Sequence, residues 1–184
     1  MSRMADFSFG GWERFRLPVR PDRYIIAYGS NLDLERMESR CPDCEIVGTS
    51  VIHGYRLLFK KSMTGFYATI EQDANCSVPV VIYRVTAEDE AMLDRYEGCP
   101  RFYYKREFFL PITRLNGKRI KEKKRCIAYV MHEYRQLGEP SLEYYSLLDG
   151  GYQGWEFDKA ILHKALADSV GFKRAERLLK QYGK

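Results

Sequence analysis

The chain has no apolar run long enough to cross a membrane. Its longest such stretches are strand-sized and broken by charge, well short of the ~20 residues a membrane helix needs. Its first twenty residues also lack the continuous apolar segment of a secretory signal, because Arg3, Asp6, Glu13, Arg14 and Arg16 are scattered among the aromatics there. A cytoplasmic location with no membrane partner is expected. Histidine is scarce, at 3 residues, and the 5 cysteines are an odd number without an export signal, which points to reduced thiols rather than a disulfide framework. His53, His132 and His163 have no paired acid or thiol at useful spacing and read as strand or surface residues. Cys41-Pro42-Asp43-Cys44 has no second CxxC to complete a four-ligand zinc site. It also follows the helical stretch Asp33 to Arg40 instead of opening a helix, the wrong end for a dipole-activated thiol. No metal is expected, and no internal repeat or low-complexity tract is visible.

With 184 residues, 45% of them hydrophobic, the chain can bury the core of one ordinary domain. Charged residues, 30% of the total, are spread over both halves, as in a folded protein. The formal charge of +5 comes largely from the stretch Lys118 to Arg125. Such a run can track phosphates. Here it directly follows Asn116-Gly117, a strong hairpin signal, and reads as a solvated turn whose lysines discourage edge-to-edge pairing. Nucleic acid is therefore not an expected partner.

Residues 1–21 mix Gly10-Gly11 with Pro18 and Pro21 and show no sustained period, so they read as a flexible N-terminal arm. Residues 22–184 form a single expected domain. Tyr24 to Tyr28 is a short apolar strand stopped by Gly29-Ser30-Asn31, and a helix from Asp33 to Arg40 follows. Glu45 to Lys60, Phe66 to Glu71 and Val78 to Val85 are rich in β-branched and aromatic residues and read as three strands. Thr86 caps a helix that Gly98 stops, with Asp89 completing a capping box. Lys105 to Leu115 and Arg119 to His132 are two more strands. After Pro140 helices dominate: one from Ser141 through Leu148, one from Phe157 to Ser169, one from Phe172 to Tyr182. The pattern predicts an α+β domain centred on a closed or strongly curved mixed sheet.

Chemistry concentrates at two places. Tyr28-Gly29-Ser30-Asn31 lies where a strand gives way to a helix, so backbone N–H groups can converge there on a carboxylate or developing oxyanion. Taken alone, the tetrapeptide reads equally well as a helix cap. Glu97 lies in the last turn of the helix stopped by Gly98, where the dipole disfavours negative charge, and Tyr96, Phe102, Tyr103 and Tyr104 can desolvate it. Both effects raise a carboxyl pKa toward the range useful for acid-base work. The plainer alternative is a surface glutamate paired with Arg95 or Arg101.

These residues resemble the γ-glutamyl cyclotransferase-like superfamily. The likeness consists of Tyr28-Gly29-Ser30-Asn31-Leu32, then Leu93-Asp94-Arg95-Tyr96-Glu97-Gly98, an aromatic opening the next strand, Cys126-Ile127-Ala128-Tyr129-Val130, and Pro140-Ser141 with Tyr144. It implies a small mixed β-barrel flanked by helices, and a reaction in which the α-amine of a γ-glutamyl group attacks its own γ-carbonyl, forming 5-oxoproline and releasing an amine or amino acid. Glu97 takes the role of general acid and base. Ala27, Tyr28, Gly29, Ser30 and Asn31 bind the substrate, with Tyr104 and Tyr129 lining the pocket. Tyr104 is preferred over Tyr103 for its strand register with Arg106 and Phe108. The resemblance implies a small γ-glutamyl substrate and no cofactor, and leaves oligomerisation open. In place of the family's Glu-Asn-Gly-Leu-Pro-like segment stands Gly151-Tyr152-Gln153-Gly154-Trp155. A catalytically silent binding or interaction module of the same fold is the alternative.

Overall fold

The structure is a computed structural model, described here for residues 23–182. The arm expected at residues 1–21 lies outside the described residues. Strand β1 (Arg23–Ala27) sits mid-sheet, antiparallel to β3 (Phe66–Val85) and parallel to β5 (Lys124–Met131). A strand paired on both edges inside a domain is covered on both faces, which is why Ile25, Ile26 and Ala27 are all buried and the run shows no polar alternation. With β2 (Glu45–Lys61) and β4 (Tyr103–Leu110), the order is β2-β3-β1-β5-β4. The strand order is open. Paired hydrogen bonds between Thr49 and Thr113, at 2.8 and 2.9 Å, tie β2 to the chain beyond β4 and give the sheet its barrel-like curl.

Phe66–Val85 forms one strand where the composition suggests two. The Asn75-Cys76-Ser77 turn signal falls where the register jumps: His53 faces Ser77, but Tyr55 faces Gln72, with Gly54 between them at φ 76°. The extra residues bulge out without ending the pairing. On the other side, β4 is shorter than expected because Pro111 has no N–H for the ladder. The basic stretch lies largely in the exposed connection to β5, turned by Asn116-Gly117, with Gly117 at φ 78° and its N–H on the Arg114 carbonyl at 2.9 Å.

Helix α1 (Leu34–Arg40) follows β1. Helix α2 (Ala87–Glu97) opens with the expected capping box, Thr86 and Asp89 exchanging two 3.0 Å bonds, and ends at Gly98 in the left-handed conformation. Helix α3 (Leu142–Gly154) runs six residues past Leu148, and α4 (Lys159–Val170) starts at an Asp158 cap. Helix α5 (Phe172–Tyr182) closes the described chain. Tyr83, Tyr152, Phe59 and Ile25 are among the largest buried side chains of the single core. Among the described residues, no helix is long and apolar enough to cross a membrane.

Candidate active site

Past Ala27 the chain leaves the sheet at Tyr28-Gly29 and makes one 3-10 turn, Ser30–Leu32; Asp33 then caps α1 through the Arg36 N–H at 2.9 Å. Gly29 is needed for closeness, since its φ of −120° is open to any residue. A Cβ there would lie 3.3 Å from both the Ala68 Cβ and the Tyr144 hydroxyl, tighter than side chains normally pack. The turn is pinned from several directions. The Tyr83 hydroxyl donates to the Asn31 carbonyl at 3.2 Å and the Trp155 indole to the Leu32 carbonyl at 2.8 Å. Arg40 donates to the Ser30 hydroxyl at 3.0 Å and to the Asn31 side-chain oxygen. Gly151 of α3 lies against Leu32, where a Cβ would come within 2.9 Å of the Leu32 Cβ. The segment that departs from the family pattern thus supports the loop.

The loop and Glu97 do face one cavity. Its walls are Ile26 to Asn31 along the chain, with Ala68, Glu97, Tyr103, Tyr129 and Tyr144. Its volume of about 40 Å³ holds roughly three waters. No ion pair joins Glu97 to Arg95 or Arg101 among the described residues. Burial of its carboxyl raises the Glu97 pKa to about 7, against the opposing pull of the Arg40 charge and of a hydrogen bond from the Asn31 side chain. Because Arg40 donates to the Asn31 oxygen, the Asn31 NH2 is the end left to serve Glu97. A carboxyl poised there can take or give a proton near neutral pH.

The aromatic walls are neutral. Burial pushes the Tyr28, Tyr103 and Tyr144 phenols above their usual pKa. Their hydroxyls are engaged: Tyr28 donates to the Tyr129 carbonyl, Tyr103 to the Ala68 carbonyl at 3.3 Å, and Tyr144 accepts the Ala68 N–H at 3.1 Å. Tyr129 contributes to the wall, while its hydroxyl points to Asp94 at 2.7 Å.

Tyr104 is not at the cavity. Neighbours along a strand face opposite sides. Tyr103 faces inward, and Tyr104 turns out to hydrogen-bond Glu133 at 2.7 Å beside the His132 ring. The expected aromatic is displaced by one residue. Arg40 and Tyr144 join the site without having been assigned a role there. Tyr144 does carry a local signal, three residues after the Ser141 cap that opens α3. Arg40 carries only its place in the last turn of α1. Cys41 is buried with its thiol pushed up to about 12 by that burial, and the Cys44 N–H simply closes a turn on the Cys41 carbonyl at 3.1 Å. Among the described residues, no group of three or more His, Cys, Asp and Glu is placed to hold a metal ion.

The family model for gamma-glutamyl cyclotransferase, AIG2-like, matches residues 25–152. No curated protein matches the chain. Among solved structures, a gamma-glutamyl cyclotransferase is 22% identical, with a TM-score of 0.66 over 87% of this chain and 99% of its own. An uncharacterized protein from Homo sapiens is 24% identical, with a TM-score of 0.66 over 88% and 99%. A yeast gamma-glutamyl cyclotransferase specific to glutathione is 12% identical, with a TM-score of 0.56 over 81% and 95%.

Proposed function

This chain belongs to the gamma-glutamyl cyclotransferase, AIG2-like family, and we propose that it converts a γ-glutamyl compound into 5-oxoproline and a free amine or amino acid. The observation that supports this reading is the pairing of Glu97, with its pKa near 7, with the Tyr28 to Asn31 loop across one small aromatic-walled cavity. Nucleophile and electrophile belong to one molecule, so holding the glutamyl chain curled supplies most of what the reaction needs, and the remaining task is proton transfer. Glu97 as carboxylate takes a proton from the substrate's α-ammonium. The freed amine nitrogen bonds to the γ-carbon, and the carbonyl electrons move onto its oxygen. The first N–H groups of the 3-10 turn have no acceptor within the turn, and they steady that oxygen with the Ser30 and Asn31 side chains. Collapse of the intermediate breaks the bond between the γ-carbon and the leaving nitrogen, which receives the proton from Glu97, while the ring nitrogen, left with two hydrogens by the attack, gives up its extra proton to the departing amine or to solvent. Each turnover returns Glu97 to its starting state. No redox step or organic cofactor enters this balance.

The test is to supply a set of γ-glutamyl amino acids and amines and measure 5-oxoproline. Release by the unmodified protein, lost in Glu97→Gln, is the expected result. A Glu97→Gln protein that forms 5-oxoproline at the original rate overturns the assignment.

A further inference from the structure

The small cavity opens into a larger groove of about 490 Å³ that shares Ser30, Glu97, Tyr103 and Tyr144 with it. Resting on the cyclotransferase reading above, we propose that this groove receives the leaving amine, and that Arg36 and Arg95 select an amine carrying a carboxylate.

The cavity holds only the reacting end, so whatever is bonded to the γ-carbonyl must extend past Glu97 into the groove. The groove's chemistry is one-sided. Arg36 projects from α1 and Arg95 from the last turn of α2, and apart from Glu97 they are the only charged residues lining it. Both are exposed, and neither guanidinium makes an ion pair among the described residues. A guanidinium offers a planar fork of donors that matches a carboxylate. A polyamine leaving group would instead place ammonium charge beside two cations, with no acid there except the carboxyl that performs the chemistry.

The remaining walls fit the body of an amino acid or short peptide. Met63, Tyr67, Tyr96 and Phe102 present apolar surface, and Met63 and Tyr96 are 75% and 56% exposed. Tyr96 is held in place by Arg40, whose guanidinium carbon lies 3.7 Å from the ring centre. The groove is therefore suited to an apolar or aromatic side chain next to a carboxylate.

Three probes isolate the carboxylate: γ-glutamyl-phenylalanine, the same compound lacking the carboxylate (γ-glutamyl-phenethylamine), and γ-glutamyl-putrescine. Their dissociation constants are measured calorimetrically on the Glu97→Gln protein, which keeps the groove and does not consume them. The acid should bind about tenfold or more tighter than the phenethylamine compound, as one charge-assisted hydrogen bond implies, with putrescine weakest. Combining Arg36→Gln with Arg95→Gln, both on exposed positions, should shrink the preference to less than about threefold, and added salt should shrink it in the parent. Equal affinity for the acid and its decarboxylated partner, a preference that survives the double substitution, or binding of none of the three overturns the proposal. Turnover by the unmodified protein separates the two readings. Release of 5-oxoproline from acid and phenethylamine compound at similar kcat/KM sustains the cyclisation while refuting the groove's selectivity. Release from none of the three, and from no member of the wider set of γ-glutamyl compounds, overturns the cyclisation, and the binding preference still judges the groove.

Discussion

Two of the three glutamates of helix α2, Glu90 and Glu97, lie about two turns apart and meet opposite fates. Glu90, only 7% exposed, is gripped by Lys105 and Arg23, and Lys105 also reaches Asp94 at 2.7 Å. Burial alone would raise its pKa, but the hydrogen bonds from Lys105 and Arg23 outweigh burial and leave it lowered. At the other end of the helix, burial prevails at Glu97, because the nearest cation, Arg40, touches Ser30, Asn31 and Tyr96 instead of the carboxyl. What separates the lowered carboxyl from the raised one on this helix is whether the cation binds the carboxyl or binds its neighbours. One end of α2 fastens the helix to the sheet, and the other holds a proton that can move.

The sharpest break of this contrast is to neutralise each glutamate in turn. Glu97→Gln should lower 5-oxoproline formation by about 10²- to 10⁴-fold, the usual contribution of a general acid-base, in steady-state kinetics. Glu90→Gln should leave kcat within about threefold, since its side chain lines no part of the cavity and only its backbone carbonyl, which the substitution keeps, meets the wall residue Tyr129. A comparable kcat loss at Glu90 would erase the distinction.

Stability should move the opposite way. Glu97 holds its proton more tightly folded than unfolded, so the folded state is favoured below pH ~4.5 and loses that advantage as pH rises through about 7. Glu97→Gln should therefore raise stability by about 1 to 3 kcal/mol near pH 8, measured by urea unfolding, and the gain should vanish by about pH 4. For Glu90 the folded pKa is depressed, so its contribution is present above the unfolded value and lost as pH falls through the folded one. Glu90→Gln should cost about 1 to 3 kcal/mol at neutral pH, leaving Lys105 and Arg23 short of a partner, with the difference narrowing in acid.

Arg40 tests whether an indirect cation tunes the reactive end. Without its charge, Glu97 should titrate higher, so the alkaline rise of kcat/KM in Arg40→Met should have a midpoint above about 7. Arg40→Lys should restore the midpoint better than the rate, because a lysine keeps the charge without the fork that reaches Ser30 and Asn31 through one nitrogen and Tyr96 through the other. The smallest effect belongs to Tyr104→Phe. Losing an exposed bond to Glu133 should change stability by less than about 0.5 kcal/mol and leave kcat/KM intact, whereas Tyr103→Phe alters the cavity wall.

Much of this contrast was legible in the chain. The loop at Gly29, the capping box at Thr86 and Asp89, the stop at Gly98 and a raised Glu97 are local features, written within a few residues of where they act. Strand parity at Tyr103-Tyr104 was not, because two adjacent tyrosines offer no alternation to read and only pairing with β5 decides which one turns inward. The bulge opposite Gly54 was hidden for a similar reason, since a turn-like composition is also what a bulged strand uses. The cations of α2 come from β1 and β4, so nothing near Glu90 marks it as fastened. Arg40 reaches the site by the way α1 packs, and a single sequence records no such approach.

The bond from the Trp155 indole to the Leu32 carbonyl spans 123 positions of sequence. A growing chain makes the loop early and its brace late, so the residues that name the site are synthesised long before the site has a shape. Until α3 docks, Gly29 to Leu32 lacks the Trp155 bond and the Gly151 contact that brace its far side. On the cyclotransferase reading, 5-oxoproline formation should accordingly appear among the last events of folding, so that its onset reports that the far end of the chain has found its place.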